Sequence, residues 1–218
     1  EGVAGPLLCL LALLSAGRGA KRPRLRDFGR ILAAGFAIYS NQLFFLVGLK
    51  LSDPVAGSAW QPSQPIFTMI LAVFLGYEKI SWRQLLGVLT AVVGAVFMVV
   101  FGSEAQAKSG ETSLAVALAG HALFFLNCLG TSCYVILTKG LLERYPSVAV
   151  TGWSYLSASV MMLVTVCVIN ETLPILRFVC EDKEPSVRQR CVDGAWHVPS
   201  AMFWPLCYWI AFNSILAY

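Results

Sequence analysis

The chain has 218 residues, 57% of them hydrophobic and 13% charged, with a formal net charge of +4 and a mean hydropathy of +0.70. That composition leaves too little polar surface to cover a water-soluble globule. The small positive charge, spread over separate loops, offers no continuous basic surface, so nucleic acid is not expected as a partner.

A helix that crosses a bilayer needs roughly 20 mainly apolar residues. In chain order, runs of that kind lie near 28–49, 54–77, 84–102, 113–138 and 147–169, and a sixth begins near Pro199. Residues 3–14 form a shorter apolar run, read as the second half of a helix whose start is missing, with a signal-peptide apolar segment as the alternative. A polytopic, all-α membrane helix bundle is therefore expected, seen as a fragment of a larger one.

Charge orients it. Arg18, Lys21, Arg22, Arg24, Arg26 and Arg30 cluster before the 28–49 run, and such clusters stay in the cytoplasm. Alternation then places 78–83 and 139–144 inside, and 50–53, 102–112 and 171–198 outside. Ten of the sixteen basic residues fall inside, adding Lys79, Arg83, Lys139 and Arg144 to the six named. The cluster reads as a topology signal, with anionic lipid headgroups as the other use for it. Cys180 and Cys191 lie in the long outer loop, where an oxidising compartment would let them form a disulfide. Asn170-Glu171-Thr172 is a glycosylation sequon on the same side, close to a helix end. Cys9, Cys128, Cys133, Cys167 and Cys207 sit in apolar runs and read as packing residues. No cysteine or histidine spacing suggests a metal, and no cofactor is expected.

No charged residue lies in the middle of a complete span, which argues against a carboxylate-driven pump within these residues. The uncharged polar residues are patterned instead. Asp53-Pro54 opens the 54–77 run, and Pro62 and Pro65 interrupt it, each deleting a backbone hydrogen bond. Trp60, Gln61, Gln64 and Thr68 recur there at helical spacing. A broken helix carrying amides is tolerated at depth where protein or a water-filled cavity satisfies the freed groups, and such helices often form transporter sites. Plain hydrogen bonding between helices is the alternative for both glutamines. Asn41 and Gln42 in the preceding run, and Asn127 with Thr131 in the 113–138 run, carry the same two readings. His121 is the titratable candidate within the spans, and it packs equally well as a neutral polar residue. Gly87, Ala91, Gly94 and Ala95 supply a small-residue face suited to close helix contact.

The order of features over 41–101 closely resembles the end of an EamA repeat, the unit of the drug/metabolite transporter superfamily. The residues that carry the likeness are Leu49-Lys50, Ala56-Gly57-Ser58-Ala59, Pro65-Ile66-Phe67-Thr68, Gly76-Tyr77-Glu78, Ser81, Gln84 and Gly87. Tyr77 between Gly76 and Glu78, and the extra Pro62, depart from the pattern. Lys139, Tyr145-Pro146-Ser147 and Thr151 resemble a helix junction of plant nodulin-like members. The outer loop 171–198 is longer than the family's usual connections and hints at a eukaryotic secretory-pathway protein.

The resemblance implies two inverted five-helix repeats, here 1–102 with its first helix missing or truncated and 113–218 truncated after its third helix. It implies a transporter of small organic solutes such as amino acids or other metabolites, working by alternating access in the plasma membrane or an endomembrane. The substrate-binding residues expected on this reading are Asn41, Gln42, Trp60, Gln61, Gln64, Thr68 and Asn127. A small-molecule solute and the lipid bilayer are the expected partners, with a homodimer as an option. An enzyme is not expected, since G-x-S-x-G, H-E-x-x-H and paired intramembrane acids are all lacking. A non-transporting membrane scaffold or sensor is the rival reading.

Overall fold

Helix is the regular structure of every element among the described residues, as a lipid solvent requires of a spanning chain. The computed structural model describes residues 24–52, 54–79, 81–108, 113–172, 180 and 203–208. The elements are α1 (Leu25–Leu51), α2 (Pro54–Trp60), a 3-10 turn (Gln61–Ser63), α3 (Gln64–Phe74), α4 (Trp82–Lys108), α5 (Leu114–Leu142), α6 (Ser147–Glu171) and α7 (Phe203–Tyr208). Four helical stretches, Arg26–Leu51, Trp82–Gly102, Leu114–Leu142 and Ser147–Ile169, are long and apolar enough to cross a membrane. The chain is an integral, multi-pass membrane protein. Of the sixth expected span, α7 is the part that falls among the described residues.

The expected break in the 54–77 run is a 3-10 turn set between two helices. Pro62 and Pro65 bring no N–H, so Ser58 and Gln61 lose their usual donors four residues on. The turn repairs one loss, because the Gln64 N–H bonds to the Gln61 carbonyl. The Trp60 carbonyl opens the 3-10 turn as its N-cap, and it also accepts a bond from the Cys128 thiol of α5, at 3.7 Å.

The reversal from α3 to α4 explains part of the sequence pattern in physical terms. Gly76 adopts φ +76°, the left-handed conformation that glycine reaches without strain. The N–H groups of Gly76 and Tyr77 bond back to the carbonyls of Val73 and Ala72, a Schellman cap. Ser81 and Gln84 then form a reciprocal capping box. The Ser81 N–H donates to Gln84 Oε1 at 2.8 Å, and Ser81 Oγ accepts from the Gln84 N–H at 3.4 Å. Tyr77, the departure from the family pattern, occupies the position after the cap, where Lys139 Nζ lies 5.4 Å from its ring centre.

Residues 24–144 form one compact unit, and the described part of 145–218 belongs to another. Within the first, α5 is the central helix. Ala117, Gly120, His121, Phe124, Asn127, Cys128, Ser132, Thr138 and Leu141 are buried along it, most of them on one helical face. It runs antiparallel to α1, and glycines bring the two backbones together. A Cβ on Gly120 would lie 2.7 Å from Ser52 Cβ, one on Gly48 2.8 Å from the Phe124 ring, and one on Gly130 3.1 Å from Asn41 Cβ. At the far end Arg144 Nη1 bonds Asp27 Oδ1 at 3.0 Å, with Asp27 buried. The Tyr77, Lys139 and Arg144 contacts bring together the three loops that charge assigned to the cytoplasm.

The small-residue face of α4 is corrected in part: Ala95 packs against the core around Trp60 and Phe124, but the glycines make no close contact. A Cβ at Gly87 or Gly94 would meet nothing within 4 Å among the described residues, and α4 exposes Val92, Val93, Val96, Phe97 and Val100. The close approach is made by α5 with α1, because a small residue permits contact only where a second backbone is aligned against it.

In the second unit, α6 follows Pro146 and buries Val150, Ser154 and Ala158 at four-residue steps. The Tyr145 and Trp153 rings meet edge to face at 5.4 Å. Asn170 falls in the last turn of α6. Cys180 is buried and disulfide-bonded, whereas Cys191 lies outside the described residues.

Candidate functional site

Five of the seven residues singled out in the sequence converge on one row of amides and hydroxyls linking α1, α3 and α5. Asn41 and Asn127 exchange bonds with each other's backbone. Asn41 Nδ2 donates to the Asn127 carbonyl at 3.0 Å, and Asn127 Nδ2 donates to the Asn41 carbonyl at 2.9 Å. Asn41 Nδ2 also donates to Thr131 Oγ1. Gln64 Nε2 reaches Asn127 Oδ1 at 3.5 Å and Gln61 Oε1 at 2.6 Å. Thr68 Oγ1 bonds Ser132 Oγ at 3.2 Å and donates to the Gln64 carbonyl at 3.0 Å. The row runs from buried Asn127 to exposed Gln61.

Its two ends differ chemically. Asn41 and Asn127 spend their amide donors on helix carbonyls, so that end is a staple between α1 and α5. An interhelical bond of this type contributes about 1 kcal/mol within a bilayer. Gln61 and Gln64 hang from the broken segment, where Gln61 is exposed and has amide valences to offer. Ser132 joins the row without having been anticipated. The polar face at Asn127 and Thr131 was visible in the sequence, but Ser132 bonds its own helix at the Cys128 carbonyl and reads alone as an ordinary helical serine.

Gln42 is not brought into the row. It is exposed on α1, one residue around the helix from Asn41. Trp60 turns elsewhere too. It is 5% exposed and packs in a core with Ala56, Phe124 and Cys128, and its indole N–H donates to His121 Nδ1 at 3.1 Å. It also walls an apolar cavity of about 290 Å³ with Phe67, Val92, Ala95, Val99 and Phe125. Gln61 and Gln64 are not among the residues that line it. The cavity lies between the broken segment and α4, and Ser63 supplies its one side-chain hydroxyl. The Phe67 and Phe125 rings stand edge to face at 5.1 Å. Among the described residues no cluster of His, Cys, Asp or Glu is placed to hold a metal ion.

The break, its two caps and the row's Asn41, Gln61, Gln64 and Thr68 belong to the stretch that resembles an EamA repeat, and the comparison with protein families agrees. Residues 2–100 match the EamA-like transporter family. That stretch is similar to an EamA-like transporter domain. The likeness to the drug/metabolite transporter superfamily is thereby borne out. A WAT1-related protein of Arabidopsis thaliana is 26% identical over 179 residues, which is 78% of this chain and 52% of that protein. A "probable terminal-alkyne amino-acid exporter" of Streptantibioticus cattleyicolor is 30% identical over 155 residues, 70% of this chain and 48% of that protein. The uncharacterized transporter YyaM of Bacillus subtilis is 22% identical over 163 residues, 75% of this chain and 52% of that protein. The chain thus spans about half the length of these curated relatives. No solved structure matches it significantly.

Proposed function

We propose that this chain belongs to a transporter of small organic solutes, in which the broken segment between α2 and α3 carries the solute site. The observation that carries the reading is the amide row at an interrupted helix. A spanning segment that gives up regular hydrogen bonds at depth, and sets two glutamines beside the gap, is costly unless those groups serve a polar ligand or a partner. Gln61 and Gln64 are assigned to the polar part of the solute. Trp60 and the apolar cavity beside it are assigned to its hydrocarbon part. Asn41 and Asn127 hold the site's two supporting helices, Thr68 braces Gln64, and Gln42 lies at the periphery.

The names of two relatives, an amino-acid exporter and a transporter, support transport and make amino acids the first class to test. Alternating access between two inverted repeats, 1–102 and 113–218, is the mechanism proposed. In it α5 is taken as the first helix of the second repeat, and it packs on α1 and α3. A rival reading has one observation in its favour. The asparagines are engaged with backbone, as they would be in a static scaffold.

Reconstitution of the full-length protein separates the two. Saturable uptake of one solute class from a panel of amino acids, auxin-like acids and nucleotide sugars is the expected result. A folded, correctly oriented protein that moves none of them favours the scaffold.

A further inference from the structure

Trp60 ends α2 at the point where the helix gives way to the 3-10 turn, and it is held there twice by α5. Its carbonyl, at the start of the 3-10 turn, meets the Cys128 thiol at 3.7 Å. Its ring meets His121, which is 3% exposed, with centres 6.4 Å apart. Phe67 lies 6.4 Å from the indole on the cavity side, and Phe124 stands edge-on to His121 at 6.3 Å. An indole carries one N–H and can only donate. Among these apolar rings the donor needs an acceptor, because leaving it unpaired costs more than the bond itself returns. The acceptor is His121 Nδ1, at 3.1 Å.

We propose that His121 is a positioning residue: its Nδ1 fixes the Trp60 indole as a wall of the apolar cavity, and so sets the affinity for a solute's hydrocarbon part. The second half of that statement rests on the transport reading above; the first half does not. The residue type fits the task. Phenylalanine would fill the space and leave the indole N–H unmet, whereas asparagine retains an acceptor close to the Nδ1 position.

The test uses full-length protein in nanodiscs with ¹⁵N-labelled tryptophan, the Trp60 indole signal being identified by its loss in Trp60→Phe. His121→Phe is expected to move that signal upfield and to speed its deuterium exchange about fivefold, the factor for one hydrogen bond of ordinary net strength. His121→Asn is expected to restore both. In proteoliposomes the same pair is expected to raise KM for leucine about fivefold and to return it, with kcat little changed. An unmoved Trp60 signal in folded His121→Phe overturns the proposal. A moved signal with unchanged leucine KM overturns the role in solute affinity and leaves the transport reading standing. Absence of leucine uptake by the unmodified protein counts against the transport reading instead, while the indole signal still decides the bond.

Discussion

Helices α4 and α5 are alike in length and composition, yet they occupy opposite environments. Both are apolar spans that carry glycines, and α4 is the more apolar of the two. Helix α5 is nevertheless the one at the centre, burying Gly120, Phe124, Asn127 and Ser132, while α4 turns valines and Phe97 outward. In lipid, hydropathy does not drive one helix against another, since acyl chains are as apolar as leucine. Close packing and interhelical hydrogen bonds decide, and α5 has both. The glycines of α4 face open space because no second backbone among the described residues is aligned with them.

The same substitution placed in both helices tests this contrast most strongly. Gly120→Leu drives a side chain into Ser52 and is expected to cost about 1–3 kcal/mol of stability, the usual range for overpacking. Thermal unfolding in mild detergent reads the effect, and an unchanged melting temperature would disprove the α1–α5 contact. Next in size is Arg144→Ala. It leaves the buried Asp27 carboxylate short of its guanidinium partner, for a loss of about 1–2 kcal/mol by the same assay. Asp27→Asn in the same background should recover part of that loss. Asn127→Leu removes the reciprocal staple to Asn41 and the acceptor for Gln64. It is expected to cost about 1 kcal/mol. Asn41→Leu combined with it should add less than its own separate effect, because the two share one set of bonds. The smallest effect belongs to Gly94→Leu on the open face of α4, within about 0.5 kcal/mol of the unmodified protein. A large loss at Gly94 would mean that α4 has a partner pressed against it.

Much of this architecture could be read from the residues in order. Spans announce themselves by length and hydropathy, and Gly76, Ser81 and Gln84 are short-range signals whose partners lie within a few residues. The amides were visible for a related reason: an asparagine or glutamine in an apolar helix must find a partner, so Asn41, Gln64 and Asn127 stood out at once. Which partner each would find was not legible. A helix pattern gives the face a side chain occupies, not the neighbour across from it, so Gln42 could not be set apart from Asn41 at the level of sequence. For the same reason the close contact was expected at Gly87 and Gly94 rather than at Gly120 and Gly130. Trp60 and His121 are 61 residues apart. Each alone reads as packing, and their bond is visible only once α2 lies against α5. Cys180 is disulfide-bonded, as an outer loop in an oxidising compartment would allow.

The central claim is that the glutamines at the helix break contact the solute while the asparagines hold the frame. Uptake kinetics of Gln64→Leu in proteoliposomes, with melting measured alongside, test it most directly. The account predicts a KM raised about fivefold or more by the lost hydrogen bond, in a protein that melts within a few degrees of the unmodified one. An unchanged KM in a well-folded variant would contradict it and return Gln64 to the role of an interhelical strut.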